Sequence, residues 1–224
     1  MQHFLMPLYP LKAYLLVYNI LQFCGWTVIG FQMLSSFRSG KDLYASVNPA
    51  LQFFQTLAVA EIVHAAVGFV KSSPLLTGFQ VFSRVFVVWA VLDYSVEARD
   101  SVGFPMLLIC WTLAEMTRYA FYAANLINMD APVLTWLRYT MFIVLYPIGI
   151  TGELLATWQS MNKIVEKRPY CYSDNAVNWV WYVYVGLMLT YIPVFPKLYL
   201  YMLHQRKKVL GHSRPAKREG KKVE

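Results

Sequence analysis

Tyr146 and Glu153 are the residues of this 224-residue chain whose types and spacing best suit acid–base chemistry. They are seven positions apart, close to two turns of α-helix, so a phenol and a carboxyl project from one helix face. A phenol titrates near pH 10 and a carboxyl near pH 4, so at neutral pH one can give a proton and the other can take one. Arg138 precedes Tyr146 by eight residues. On a continuous helix it would lie about 80° away, near enough to join the same pocket. Pro147 lacks an amide proton and crowds the preceding turn, while Gly149 and Gly152 remove side-chain bulk. Together they predict a bent helix with room beside it. An ordinary proline kink carrying an interfacial tyrosine is the competing reading of the same residues.

The elements that must position these groups are written for lipid. The chain is 58% hydrophobic and 14% charged, with a mean hydropathy of +0.41. Soluble domains are about one-quarter charged. About 20 apolar residues cross a hydrocarbon core, and six stretches have that character: Ala13–Leu34, Ala50–Val70, Leu76–Tyr94, Val102–Ala123, Trp136–Trp158 and Asn178–Leu203. Turn and charge signals separate them at Arg38–Lys41, Lys71–Pro74, Glu97–Asp100, Asn128–Pro132 and Lys163–Asn175. Trp136, Tyr139, Trp158, Trp179, Trp181, Tyr199 and Tyr201 sit at span edges, as in an aromatic belt. The last span contains Pro193 and Pro196 and is expected to kink or end near the interface. The fold class expected is therefore all-α, a polytopic membrane bundle of six transmembrane helices. Residues 1–205 would form the bundle and residues 206–224 a basic cytosolic tail without fixed structure.

Several ionisable groups fall at membrane depth: Glu61 and His64, Arg84 and Asp93, Glu115 and Arg118, Arg138 and Glu153. Each charge at the bilayer centre costs about 2.5–3.5 kcal/mol even on the lenient insertion scale. They are tolerable only if they face one another inside the bundle. Structural ion pairs between Glu61 or Glu115 and Arg84 or Arg118 account for most of them, and such pairs fix helix register at little net gain in stability. Glu61-x-x-His64 has the spacing of a di-iron ligand unit. The nearest second copy, Glu115-x-x-Arg118, contains an arginine that cannot ligate, so no metal is expected.

The net charge of +8 is uneven, because residues 206–224 hold eight Lys/Arg against Glu219 and Glu224. A basic tail after an apolar span reads as cytoplasmic and lipid-facing. Nucleic-acid binding is not expected, as no compact domain precedes the tail to dock it. With six spans both termini share the cytosolic side. Lys221 and Lys222, third and fourth from the end, resemble a dilysine retrieval signal for the endoplasmic reticulum. The first span lacks a preceding cleavage site and is expected to be a retained helix. Cys24, Cys110 and Cys171 show no metal or redox spacing and imply no disulfide framework.

The run Leu145-Tyr146-Pro147-Ile148-Gly149-Ile150-x-Gly152-Glu153, preceded by Leu137-Arg138-Tyr139, resembles the signature of the very-long-chain (3R)-3-hydroxyacyl-CoA dehydratases, the protein tyrosine phosphatase-like A family. The similarity extends to Tyr14–Asn19, Phe53–Thr56 with Glu61–His64, Ser83-Arg84-x-Phe86, Trp111-Thr112 with Glu115-x-Thr117-Arg118-Tyr119, Tyr191–Pro193 and Gln205–Leu210. The resemblance implies a six-span lyase of the endoplasmic reticulum membrane with both ends cytosolic. Its reaction removes water from a 3-hydroxyacyl-CoA to give the trans-2-enoyl-CoA, the third step of fatty-acid elongation, and calls for no cofactor. Implied partners are the long-chain and very-long-chain acyl-CoA substrate, membrane lipid, the condensing enzyme and the ketoacyl and enoyl reductases. By the same resemblance Tyr146 and Glu153 are catalytic. Arg138 and Gly149 support them, with Arg84, Arg118, Glu61 and Glu115 as further supporting residues. The phosphatase label has no counterpart here, since none of the cysteines begins a Cys-x5-Arg phosphate loop.

Dehydration removes a proton from C2, acidified by the thioester, and protonates the departing C3 hydroxyl. Glu153 as base and Tyr146 as acid is the expected assignment, with the reverse open. A transporter or channel would also carry ionisable residues in its spans, but the only internal echo is Glu61-x-x-His64 against Glu115-x-x-Arg118. A non-catalytic scaffold would not need both Tyr146 and Glu153.

Overall fold

The computed structural model describes residues 8–166 and 179–211. The expectations for the first seven residues, for the loop holding Cys171 and for the tail beyond Gly211 with its two lysines lie outside the described residues. Nine α-helices and one π-helical turn make up the described chain, and no strand occurs among the described residues. In order they are α1 (Leu8–Ser39), α2 (Leu43–Leu57), α3 (Ala60–Ala66), α4 (Pro74–Phe86) running into a π-helix (Val87–Leu92), α5 (Val96–Asp100), α6 (Gly103–Leu126), α7 (Pro132–Arg138), α8 (Phe142–Glu166) and α9 (Trp179–Gly211).

Among the described residues three helical stretches are long and apolar enough to cross a membrane: Pro10–Ser39, Pro74–Leu92 and Trp181–Gly211. A fourth is available if α7 and α8 count as one broken span, bent by 41° between them. That is three or four candidate spans against six expected from the sequence. The difference has local causes. The stretch Ala50–Val70 is divided at Ala58–Val59 into α2 and the seven-residue α3. α6 has the length, 24 residues, but Glu115 and Arg118 lower its apolarity.

The breaks are places where side chains take over backbone partners, as an apolar surrounding demands. At the end of α2, Gln22 of α1 donates from Nε2 to the Phe54 carbonyl at 3.2 Å, and the Tyr18 hydroxyl donates to the Leu57 carbonyl at 3.3 Å. In the π-helix the Ala90 carbonyl accepts from the Tyr184 hydroxyl of α9. Arg99 closes the far end, donating to the Leu92 carbonyl at 2.5 Å and to that of Asp93, with its guanidinium 3.9 Å from the Tyr44 ring centroid. Asp93, expected at membrane depth, is exposed just past the π-helix, and accepts from Tyr44 and Gln52 at 3.0 Å each. Glu97–Asp100, expected as a turn, belongs to α5, whose first turn Ser95 caps by accepting from Ala98 N.

The core lies between α1, α2, the π-helix, α6 and α8, around Trp26, Leu51, Leu92, Phe104 and Leu107. α6 and α8 cross at backbone contact distance. A Cβ built on Gly152 would stand 2.7 Å from Leu107 N and 2.8 Å from Gly103 O; one on Gly103 would stand 2.6 Å from Gly152 O. The room that the glycines were expected to leave beside the helix is therefore occupied by α6. The bend also falls elsewhere than expected. It lies at Tyr139–Met141, between α7 and α8, while Pro147 is inside α8. Pro193 and Pro196 do not end α9, which continues through both to Gly211, past the boundary expected at residue 205.

Candidate active site

Glu153 stands where three helices meet. Its side chain comes from α8 and is only 6% exposed. Oε1 accepts a hydrogen bond from Trp111 Nε1 of α6 at 2.7 Å, and Oε2 accepts from the Tyr191 hydroxyl of α9 at 2.6 Å. Both lengths are those of charge-assisted bonds, for which donor and acceptor distances shorten. The small residues make this possible. Gly149 places α8 so close to α6 that an added Cβ would lie 3.3 Å from Cys110 Cβ, and Trp111 is the next residue along α6. Among the described residues Glu153 forms no ion pair.

Tyr146 lies two turns earlier on α8 and is half-buried. Its ring stacks on Phe195 and Tyr199 of α9, with centroids 5.2 and 6.2 Å away and planes within 9° of parallel. Its hydroxyl forms no hydrogen bond among the described residues. Pro147 leaves the Ile143 carbonyl without its normal helical partner, and the Tyr199 hydroxyl approaches that oxygen at 3.5 Å. One stripe of α9, Tyr191, Phe195 and Tyr199 at four-residue intervals, thus covers Glu153, the Tyr146 ring and the Ile143 carbonyl one turn before it.

The remaining ionisable residues form a separate cluster on α3, α4 and α6. Arg118 grips Glu61 with both terminal nitrogens, at 2.5 and 2.9 Å, and donates from Nε to Glu115 Oε2 at 2.7 Å. Arg84 pairs with the other oxygen of Glu115. The Tyr119 hydroxyl donates to Glu61 at 2.5 Å, and the Tyr18 hydroxyl, whose one proton is shared with the Leu57 carbonyl, lies 3.4 Å from it. These are the pairings that the cost of buried charge predicts. His64 bonds Tyr14 across 2.8 Å and packs edge-on against Tyr14 and Tyr18, and Tyr18 also touches Glu61.

Arg84 bridges the two regions, because its guanidinium carbon lies 5.8 Å from the Trp111 ring centroid while Trp111 holds Glu153. Arg138 does not join the face shared by Tyr146 and Glu153. The chain breaks after it, so continuous helical rotation does not apply. Its guanidinium lies 6.0 Å from the Tyr122 ring, at a small recess shared with Thr117 and Leu145. Trp111 and Tyr191 are the site residues that spacing along α8 could not reveal. The four-residue rhythm of Tyr191, Phe195 and Tyr199 was the available signal.

Residues 55–212 match the model of the family described as protein tyrosine phosphatase-like protein, PTPLA. The chain is 43% identical to the very-long-chain (3R)-3-hydroxyacyl-CoA dehydratase hpo-8 of Caenorhabditis elegans over 208 residues, covering 89% of this chain and 95% of that one. It is 41% identical to the human very-long-chain (3R)-3-hydroxyacyl-CoA dehydratase 2 over 213 residues, 92% of this chain and 84% of the relative. The rice dehydratase PASTICCINO 2A is 35% identical over 212 residues, 92% and 96% of the two chains. No solved structure matches the chain. With the family model spanning well over half of the sequence and relatives of this identity along nearly its full length, the chain belongs to the protein tyrosine phosphatase-like family that includes the very-long-chain (3R)-3-hydroxyacyl-CoA dehydratases.

Proposed function

We propose that this protein removes water from very-long-chain (3R)-3-hydroxyacyl-CoA to give the trans-2-enoyl-CoA, with Glu153 as base and Tyr146 as acid. The observation that carries this reading is Glu153 itself. It is a buried carboxylate with no cation in contact among the described residues, two neutral donors on its oxygens and a phenol two turns away on the same helix. Donors on both oxygens fix its direction while leaving lone pairs for a proton. In the reaction Glu153 takes the C2 proton, the C2–C3 double bond forms and the C3–O bond breaks. Tyr146 gives its proton to the departing hydroxyl, which leaves as water. The proton left on Glu153 then returns to the Tyr146 oxygen and resets the pair. Positioned acid–base groups of this kind each contribute about 10²–10⁴-fold in rate.

The apolar surroundings, with Phe195 and Tyr199 of α9 stacked beside Tyr146, suit a long acyl chain. In this reading α2 with α3, and α6, complete six crossings of the endoplasmic reticulum membrane. Residues 1–205 are then the catalytic bundle, and residues 206–224 a basic extension on the cytosolic side with both termini, its first part the last turns of α9 through Gly211. The CoA phosphates stay at that face, with Lys71 and the tail cations as their counter-charges. The other elongation enzymes, one condensing and two reducing, are the partners that would supply the substrate and consume the product. Incubating the purified protein with a long-chain (3R)-3-hydroxyacyl-CoA tests the reading through formation of enoyl-CoA. No turnover in an intact preparation, together with solute flux in proteoliposomes, would point to a transporter instead.

A further inference from the structure

The reading of Glu153 as base leaves open what holds it against a substrate that changes shape during the reaction. A carboxylate on a helix has several rotatable bonds, and a base misplaced by about 1 Å can lose 10²-fold in rate. Two donors fix this one. Trp111 belongs to α6, the helix packed most intimately on α8, and its indole is 2% exposed within the core. Tyr191 is different. It comes from α9, where Tyr184 alone is fully buried among the residues whose burial is described, yet its hydroxyl is 2.6 Å from Glu153 Oε2. Arg84, beside the Trp111 ring, pairs with Glu115. Neutral donors therefore set the direction of the carboxylate. Tyr146 does not share this task, since its ring is held by stacking and its hydroxyl bonds nothing among the described residues.

We propose that Tyr191 is a positioning residue for the dehydration, holding Glu153 toward C2 of the substrate and making α9 a structural part of the active site. The proposal rests on the assignment of Glu153 as base. Its geometry separates the two phenols of the site: Tyr146 supplies a proton, and Tyr191 supplies direction. Because α9 is so lightly packed, its aromatic stripe is tied to the bundle by these functional contacts as much as by apolar burial.

The test compares kcat and KM of purified full-length Tyr191→Phe, Glu153→Gln, Tyr191→Phe/Glu153→Gln and, as a control on the same helix, Tyr182→Phe, whose side chain is exposed. A hydrogen bond to a charged group is worth enough that its loss lowers kcat roughly 10–100-fold. KM is expected to stay within about two-fold, because the substrate's own contacts are unchanged. In the double variant the Phe substitution should add less than about two-fold to the residual loss of Glu153→Gln, because there is no base left to position. Tyr182→Phe should match the wild type. Undiminished kcat in Tyr191→Phe, with Glu153→Gln impaired, overturns this proposal alone. Multiplicative losses in the double variant, or a loss matched by a fall in thermal stability, show a merely structural tyrosine and overturn it too. Full activity in Glu153→Gln removes the base assignment, and the proposal with it.

Discussion

The two polar regions of this bundle solve the problem of buried charge in opposite ways. In the cluster of Glu61, Glu115, Arg84 and Arg118, every acid faces a cation, and the Tyr119 phenol also donates to Glu61. Around Glu153 the partners are an indole and a phenol, and no ion pair forms among the described residues. A carboxylate locked between guanidinium groups has its lone pairs committed and gains little from taking a proton. One held only by neutral donors stays available as a base. On the proposed reading, the comparison separates the ionisable residues that pair across helices from the carboxylate put forward as the base.

The largest effect on stability is expected from breaking the first region. Arg118→Met leaves Glu61 and Glu115 facing each other without their shared cation, a loss of about 3–5 kcal/mol for a buried pair. Thermal unfolding in detergent should show a strong drop in midpoint. Adding Glu61→Gln to Arg118→Met should recover part of it, since removing both members of a pair costs less than removing one. A stable Arg118→Met protein would mean that the cluster does not hold the helices.

A smaller effect, about 1–3 kcal/mol, is expected from Gly152→Ala, which pushes a methyl into the backbone of α6 2.7 Å away. Gly149→Ala meets only Cys110 Cβ at 3.3 Å and should cost less. It should also move Trp111 relative to Glu153, so its effect on kcat is expected to exceed its effect on the unfolding midpoint. Equal effects in both measurements would break the distinction between packing and positioning at this crossing. The smallest effect belongs to Tyr199→Phe. It keeps the ring stacked on Tyr146 and removes only a long 3.5 Å contact to the Ile143 carbonyl, worth at most about 0.5 kcal/mol. A larger loss of stability would show that this contact does replace the hydrogen bond missing at Pro147.

Much of this arrangement was legible in the residues. Helical character followed from the apolar runs, and the pairing of Glu61 and Glu115 with Arg84 and Arg118 followed from the cost of isolated charge. Placement of Tyr146 and Glu153 on one helix needed only their spacing. The breaks were not legible, because they depend on where another helix offers a donor. Gln22 and Tyr18 close the end of α2, and Tyr184 serves the carbonyl of the π-helix. The glycines of α8 were read as room because their counterpart, Gly103, lies 49 residues earlier and meets Gly152 only in the folded bundle. Trp111 and Tyr191 stood in family-like stretches, but their pairing with Glu153 was not legible, since they are 42 and 38 residues from it. Arg138 was aligned with Tyr146 by a rotation that the break at Tyr139–Met141 cancels.

The most direct measurement is dehydration of a very-long-chain (3R)-3-hydroxyacyl-CoA by purified wild type, Glu153→Gln and Tyr146→Phe, each shown to be equally folded by its unfolding midpoint. Wild type should form the enoyl-CoA, and each variant should lose about 10²–10⁴-fold in kcat. Wild-type-like turnover in both variants would contradict the account.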